Sequence, residues 1–152
     1  METYAQMKKR HQDEVNALPL MFAFSNDQFD EGCRKLGVTD PKSELYALGG
    51  TGGFYRRSDD ELVSGTFLRH KVEFAKAMKD SDFAIGAFSY EIANIEYDYS
   101  SNPEADMAAC FDYPTTHNEY GDTIIDWSKV ENGETLSKLY KKAVARFIAK
   151  TH

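Results

Sequence analysis

The sequence is poor in the residues that staple small folds, with two cysteines, four prolines and one tryptophan in 152 residues. Neither Cys33 nor Cys110 has a second thiol or a histidine at zinc-ligand spacing. No disulfide framework and no metal centre are therefore expected, and both residues read as reduced thiols in a cytoplasm. Apolar runs fall far short of the ~20 residues of a spanning helix. Lys8, Lys9 and Arg10 are not followed by an apolar h-region, so neither a membrane protein nor a secreted precursor is expected. Long linkers and repeats of solenoid length are missing too, which predicts a single domain over residues 1–152. A chain of this size buries enough surface to do without covalent or metal cross-links.

The most informative absence is of one sign of charge. Residues 1–79 carry 12 Lys or Arg and 12 Asp or Glu, an ordinary mixed surface. From Asp80 to Ser128 there are 11 acids and no Lys or Arg. Residues 129–152 then hold six bases against two acids, so the net charge of −7 is concentrated in 49 consecutive residues. A base-free stretch of that length is improbable by chance when about one residue in eight is basic. It reads either as an exposed acidic face or as a face paired within the chain to the basic C-terminal helix.

Hydrophobic periodicity and cap residues outline the elements. Tyr4, Met7, His11, Val15 and Leu18 predict an amphipathic helix ended by Pro19. Leu20 to Phe24 reads as a short buried strand, followed by a helix over 26–36 with Ser25 as N-cap and Gly37 beyond its end. Leu45–Leu48 and Phe54–Arg56 flank Gly49-Gly50-Thr51-Gly52-Gly53 and predict a hairpin. Ser58 and Ser81 are read as caps of two helices, the first striped by Val63, Phe67, His70, Phe74 and Met78, the second running to about Tyr99. Asn102-Pro103 starts a short helix to about Phe111. Pro114–Asp122 reads as an irregular loop, Ile124–Trp127 as an edge strand, and Glu134 to about Ala149 as a core helix. The fold class predicted is α+β, mainly α, with about five or six helices around one core and a small β hairpin or sheet near 45–57. Phe67, Phe74, Phe88, Ile92, Leu139, Val144 and Phe147 are expected to be buried in one cluster.

No catalytic motif is present, so the protein is read as non-enzymatic and without a cofactor. The glycine segment with Gly52, Gly53, Arg56 and Arg57 is the nearest approach to an anion site, but no Lys-Ser/Thr pair follows it as in a P-loop. It reads as a tight hairpin, a phosphate contact or a mobile partner-binding loop, with the arginines expected to contribute little to folding. His11 and His70 sit on apolar stripes and read as satisfied core histidines. The pair His117 and Glu119 is a weak metal signal, and Asp98 to Asn102 lacks the glycine and terminal glutamate of a calcium loop. Tyrosines and Trp127 interleave with the acids, and such residues often anchor interfaces. The candidate partner-binding residues are Glu91, Glu96, Tyr97, Asp98, Tyr99, Glu104, Asp106, Asp112 and Tyr113, with Glu91 expected on the solvent side of its helix.

Met7-Lys-Lys-Arg-His11, Met21-Phe-Ala-Phe-Ser25, Gly52-Gly53-Phe54-Tyr55-Arg56-Arg57-Ser58 and Tyr90-Glu91-Ile-Ala-Asn94-Ile-Glu96-Tyr97 together resemble small, largely uncharacterised proteins of bacterial phages and conjugative elements. The resemblance covers about residues 4–100. A His often stands in those relatives where this chain has Ile95, so a role built on that His is not expected here. The resemblance implies a mobile-element setting, in which small acidic proteins of anti-CRISPR or anti-restriction type inhibit host nucleases. The expectation is a nucleic-acid mimic that binds a basic nucleic-acid-binding protein such as a defence nuclease, and binds neither nucleic acid nor membrane itself. An accessory interaction module and a small metal-dependent hydrolase using Glu91, Glu96 and His117 are the alternatives.

Overall fold

Local signals close most of the helices in the computed structural model, which describes residues 1–152. Ser25 accepts from the Gln28 N–H at the start of α2 (Asn26–Leu36), and Gly37 ends it at φ 71°. Asn102 caps α6 (Pro103–Phe111) with proline at the first helical position. The cap of α5 (Ser81–Asn94) is Asp80, whose carboxylate accepts from the Phe83 N–H, so Ser81 is already inside the helix. Ser58 likewise lies within a 3₁₀ turn, Arg57–Asp59, and α4 (Asp60–Ala77) begins after it. The remaining helices are α1 (Tyr4–Asn16), the single turn α3 (Pro41–Glu44) and α7 (Gly133–Thr151). With five short strands this makes an α+β fold that is mainly α.

The contacts gather in two units, residues 8–74 and residues 1–7 with 75–152. In the first, the predicted hairpin is present as β2 (Leu45–Leu48) and β3 (Gly53–Arg56), and β1 (Leu20–Phe22) pairs with the other edge of β3, all antiparallel. The reversal is possible because Gly49 and Gly52 take φ of 55° and 77°. One sheet face presents Met21, Leu45 and Phe54 to Phe29, Cys33 and Leu36 of α2, which forms the core of this unit.

In the second unit α5 packs chiefly on α7. Ala84 and Ala87 of α5 and Ala143 of α7 are fully or almost fully buried. Phe88 is completely enclosed, with ring centroids 5.2 Å from Phe111, 5.5 Å from Tyr140 and 6.3 Å from Trp127. Edge-on rings at these separations pack favourably. α6 lies beside the two-stranded sheet of β4 (Thr115–His117) and β5 (Thr123–Ile125).

Several expectations are corrected. α5 stops at Asn94 rather than near Tyr99, because Glu96 turns the chain into the left-handed region at φ 52°. The segment read as an irregular loop contains β4, whose three exposed polar residues gave no apolar signal. The expected Phe cluster also divides. Phe88 and Ile92 are buried, Leu139, Val144 and Phe147 are half-buried, and Phe67 is exposed while Phe74, half-buried, lies in the other unit. α4 buries Val63 and His70 of its predicted stripe, with Thr66 rather than Phe67 beside them, and α7 buries Leu136, Tyr140 and Ala143.

Truncating Phe88 to Ala is expected to cost about 3–5 kcal/mol in chemical denaturation, and Phe147 to Ala clearly less because that ring is half-exposed. A Cβ added at Gly133 would lie 2.0 Å from the Trp127 carbonyl oxygen. Backbone cannot yield as a side chain can, so Gly133→Ala should destabilise by at least about 1–3 kcal/mol, read as a drop in Tm.

Candidate functional site

The acidic segment is held by α5, the 3₁₀ turn Tyr97–Tyr99 and α6. Three of its eleven carboxylates accept from backbone N–H groups. Asp80 caps α5, Asp126 accepts from Ser128 N–H and Glu104 accepts from Ile125 N–H at 2.9 Å, while the Asp122 carboxylate accepts from the Asn118 side-chain amide. Carboxylates at such positions are stabilised by N–H donors and by the helix N-terminal dipole.

The largest correction concerns Glu91, which is 1% exposed rather than solvent-facing. The Tyr4 hydroxyl donates to its Oε1 at 3.1 Å and the Asn94 amide to its Oε2 at 3.5 Å. A buried carboxylate is tolerated only with such donors. Burial first, and the Glu91 charge second, push the Tyr4 phenol well above its ordinary pKa. Tyr97 and Tyr113 are also half-buried. Tyr97 packs on Phe147 at 6.2 Å, and Tyr113 stacks on Phe111 at 5.5 Å and meets Trp127 at 5.4 Å, burial raising its pKa to about 12. The Tyr140 hydroxyl, buried below them, has no partner in hydrogen-bond geometry.

What remains outside is a smaller patch. Glu96, Asp98 and Tyr99 lie on one tight turn, closed by Tyr99 N–H and Ser100 N–H on the Glu96 carbonyl at 2.8 and 3.2 Å. Ser100 Oγ donates to Asp106, joining α6 to the same turn. Tyr99 is 89% exposed. Asp112 is exposed at the far end of α6, about 9 Å along the helix from Asp106. Asp98 pairs with His152 at 3.2 Å.

The glycine segment does not leave its arginines free for an anion. Arg56 donates to Asp59 at 2.8 Å and to the Leu36 carbonyl at 3.3 Å. Arg57 donates to the carbonyls of Leu45 and Lys42, both at 3.1 Å, and lies 4.7 Å from the Tyr46 ring centre. These guanidiniums tie the hairpin to the end of α2, to α3 and to the start of β2, contacts that the expectation of little contribution to folding did not include. Gly52 and Gly53 leave room for the rings of Phe24 and Phe22, whose atoms come within 2.6 and 2.9 Å of where a Cβ would stand. Glu91, Glu96 and His117 do not converge. No three His, Cys, Asp or Glu side chains come together in a metal-holding geometry.

One cluster was missed in the sequence. Arg10-His11-Gln12-Asp13-Glu14 on α1 and Arg69-His70-Lys71-Val72-Glu73 on α4 repeat the pattern Arg-His-x-x-Glu. Glu14 accepts from Arg69 and from His70 Nε2 at 2.7 Å, while Glu73 accepts from Arg10 at 2.5 Å and His11 Nε2 at 3.1 Å. The two imidazoles stack with centroids 3.7 Å apart and planes 9° from parallel. Each glutamate is thus held by the other helix's arginine and histidine. Searching for a pattern of charged residues repeated on two predicted helices would have revealed it.

Among known proteins, one family model, described as a family of unknown function, matches residues 3–146. No curated protein and no solved structure matches the chain.

The paired clusters generate a pH dependence. Hydrogen bonds from Arg69 to Glu14 and from Arg10 to Glu73 are the largest influences lowering both carboxyls from 4.5 to about 2. In the unfolded chain they protonate near the ordinary value, so their contribution to stability is present above about 4.5 and is lost as the pH falls towards 2. Glu14→Gln and Glu73→Gln should each flatten this loss in denaturation curves measured from pH 6 to pH 2, and the double variant should flatten it most.

Proposed function

Because the chain belongs to a family of unknown function, DUF7659, we propose its role from its geometry: it is a non-enzymatic inhibitor or modulator of a nucleic-acid-handling protein, and its acidic turn occupies a basic groove of that partner. Glu96, Asp98, Tyr99 and Asp106 carry the contact and Asp112 extends it. The observation that supports this reading is that the exposed turn keeps its charge. Glu96, Asp98, Asp106 and Asp112 form no ion pair with a Lys or Arg, and Asp98 meets His152 at 3.2 Å. Lys141, Lys142, Arg146 and Lys150 of α7 form no ion pair with the turn, and Lys138 pairs with Glu134 of its own helix at 3.8 Å. An intramolecular neutralised face, as an accessory module would use, predicts the opposite. The exposed Tyr99 adds a flat apolar surface suited to the aliphatic stems and cationic heads of Arg and Lys.

The protein should not bind duplex DNA. It should capture basic nucleic-acid-binding proteins from a bacterial lysate at low salt and release them as salt rises, since exposed charges are screened over about 8 Å at physiological ionic strength. The Glu96→Lys, Asp98→Lys double variant should keep its circular dichroism spectrum and associate at least about tenfold more slowly with the captured partner, with dissociation little changed. Binding of duplex DNA by the wild-type chain, or capture unaffected by the double variant, overturns the reading.

A further inference from the structure

Apolar residues interrupt the polar outer side expected of α4 as a surface helix. Val63, Thr66 and His70 are turned inward, and the opposite side of such a helix normally carries charge. Here Leu62, Leu68 and Val72 are 54%, 62% and 59% exposed. Gly65 lies among them, with nothing within 4 Å of the position a Cβ would take. At 100° per residue Glu61, Gly65, Leu68 and Val72 fall within about 60° of one another, with Lys76 at the border of that face. Their spacing of four, three and four residues is that of a helix–helix seam.

We infer that this face docks a second copy of the chain, α4 running antiparallel to its partner about a two-fold axis between Leu68 and Arg69. Positions equidistant from that axis are complementary. Val72 of one copy faces the space left by Gly65 of the other, the two Leu68 side chains meet beside the axis, and Glu61 faces Lys76 at each end. Glu61 and Lys76 are both exposed and form no ion pair within the chain. A parallel pairing would instead set Gly65 against Gly65 and Glu61 against Glu61, leaving a void and a like-charge contact. The antiparallel arrangement is isologous, as a closed dimer requires. A single seam about 27 Å long lies at the low end of interface sizes, so dissociation constants of about 10–500 μM are expected.

Sedimentation velocity of the full chain from about 5 μM to about 1 mM tests this. The wild type should pass from monomer to dimer over that range. Leu68→Glu, at an exposed position and with folding checked by circular dichroism, should weaken the dimer at least about tenfold. Glu61→Lys should weaken it about three- to fivefold, and adding Lys76→Glu should restore it, which mere loss of an acidic residue from the first turn of α4 would not allow. A monomer throughout the range leaves the face to a different occupant and overturns the inference. A dimer indifferent to Leu68→Glu, or a charge swap without rescue, overturns it as well.

Discussion

The enclosure of Phe88 governs the C-terminal unit. Its ring has no contact with solvent and is walled by Phe111, Trp127 and Tyr140, which come from α6, a 3₁₀ turn and α7. The alanines at positions 84, 87 and 143 bring α5 and α7 close enough for that ring to be covered. Once these elements are fixed, the aromatic residues of the acidic stretch divide by necessity. Phe111, Tyr113 and Trp127 are used in the wall, Tyr97 leans on Phe147, and Tyr99 is left outside at the turn. Aromatic content that resembles an interface signature in the sequence is therefore mostly core, and the surface that can meet a partner is smaller than the composition suggests.

The two halves of the chain manage charge in different ways. In the N-terminal unit, carboxylates are matched to side chains of the facing helix, Glu14 to Arg69 and His70, Glu73 to Arg10 and His11. In the acidic stretch, three of the eleven carboxylates, Asp80, Glu104 and Asp126, accept instead from the backbone N–H groups of Phe83, Ile125 and Ser128.

Elements with local chemistry at their ends were legible in the sequence. Ser25, Gly37, Asn102-Pro103 and the glycines between Leu48 and Phe54 act through neighbours one to four residues away, and each does what its position implies. Faces were legible only in outline. On α4 Val63 and His70 are buried as the periodicity implies, but Thr66 takes the place of Phe67. Glu91 was assigned to the wrong side of α5 because its donor, Tyr4, lies 87 residues away. β4 consists of two threonines and a histidine, exposed throughout, and is recognisable only from its pairing with β5. Of the candidate residues, Glu96, Asp98, Tyr99, Asp106 and Asp112 are exposed, whereas Glu91 is buried, Tyr97 and Tyr113 are half-buried and Glu104 accepts from backbone.

The caps carry a further implication for how such a chain evolves. Asparagine accepts the same hydrogen bonds as aspartate at an N-cap or turn, and it tolerates the left-handed conformation that Asp112 adopts at φ 53°. Asp80, Asp112, Asp122 and Asp126 are each one nucleotide change from an amide that would keep the backbone geometry while removing a negative charge. Surface charge and backbone shape are thus separable at these four positions.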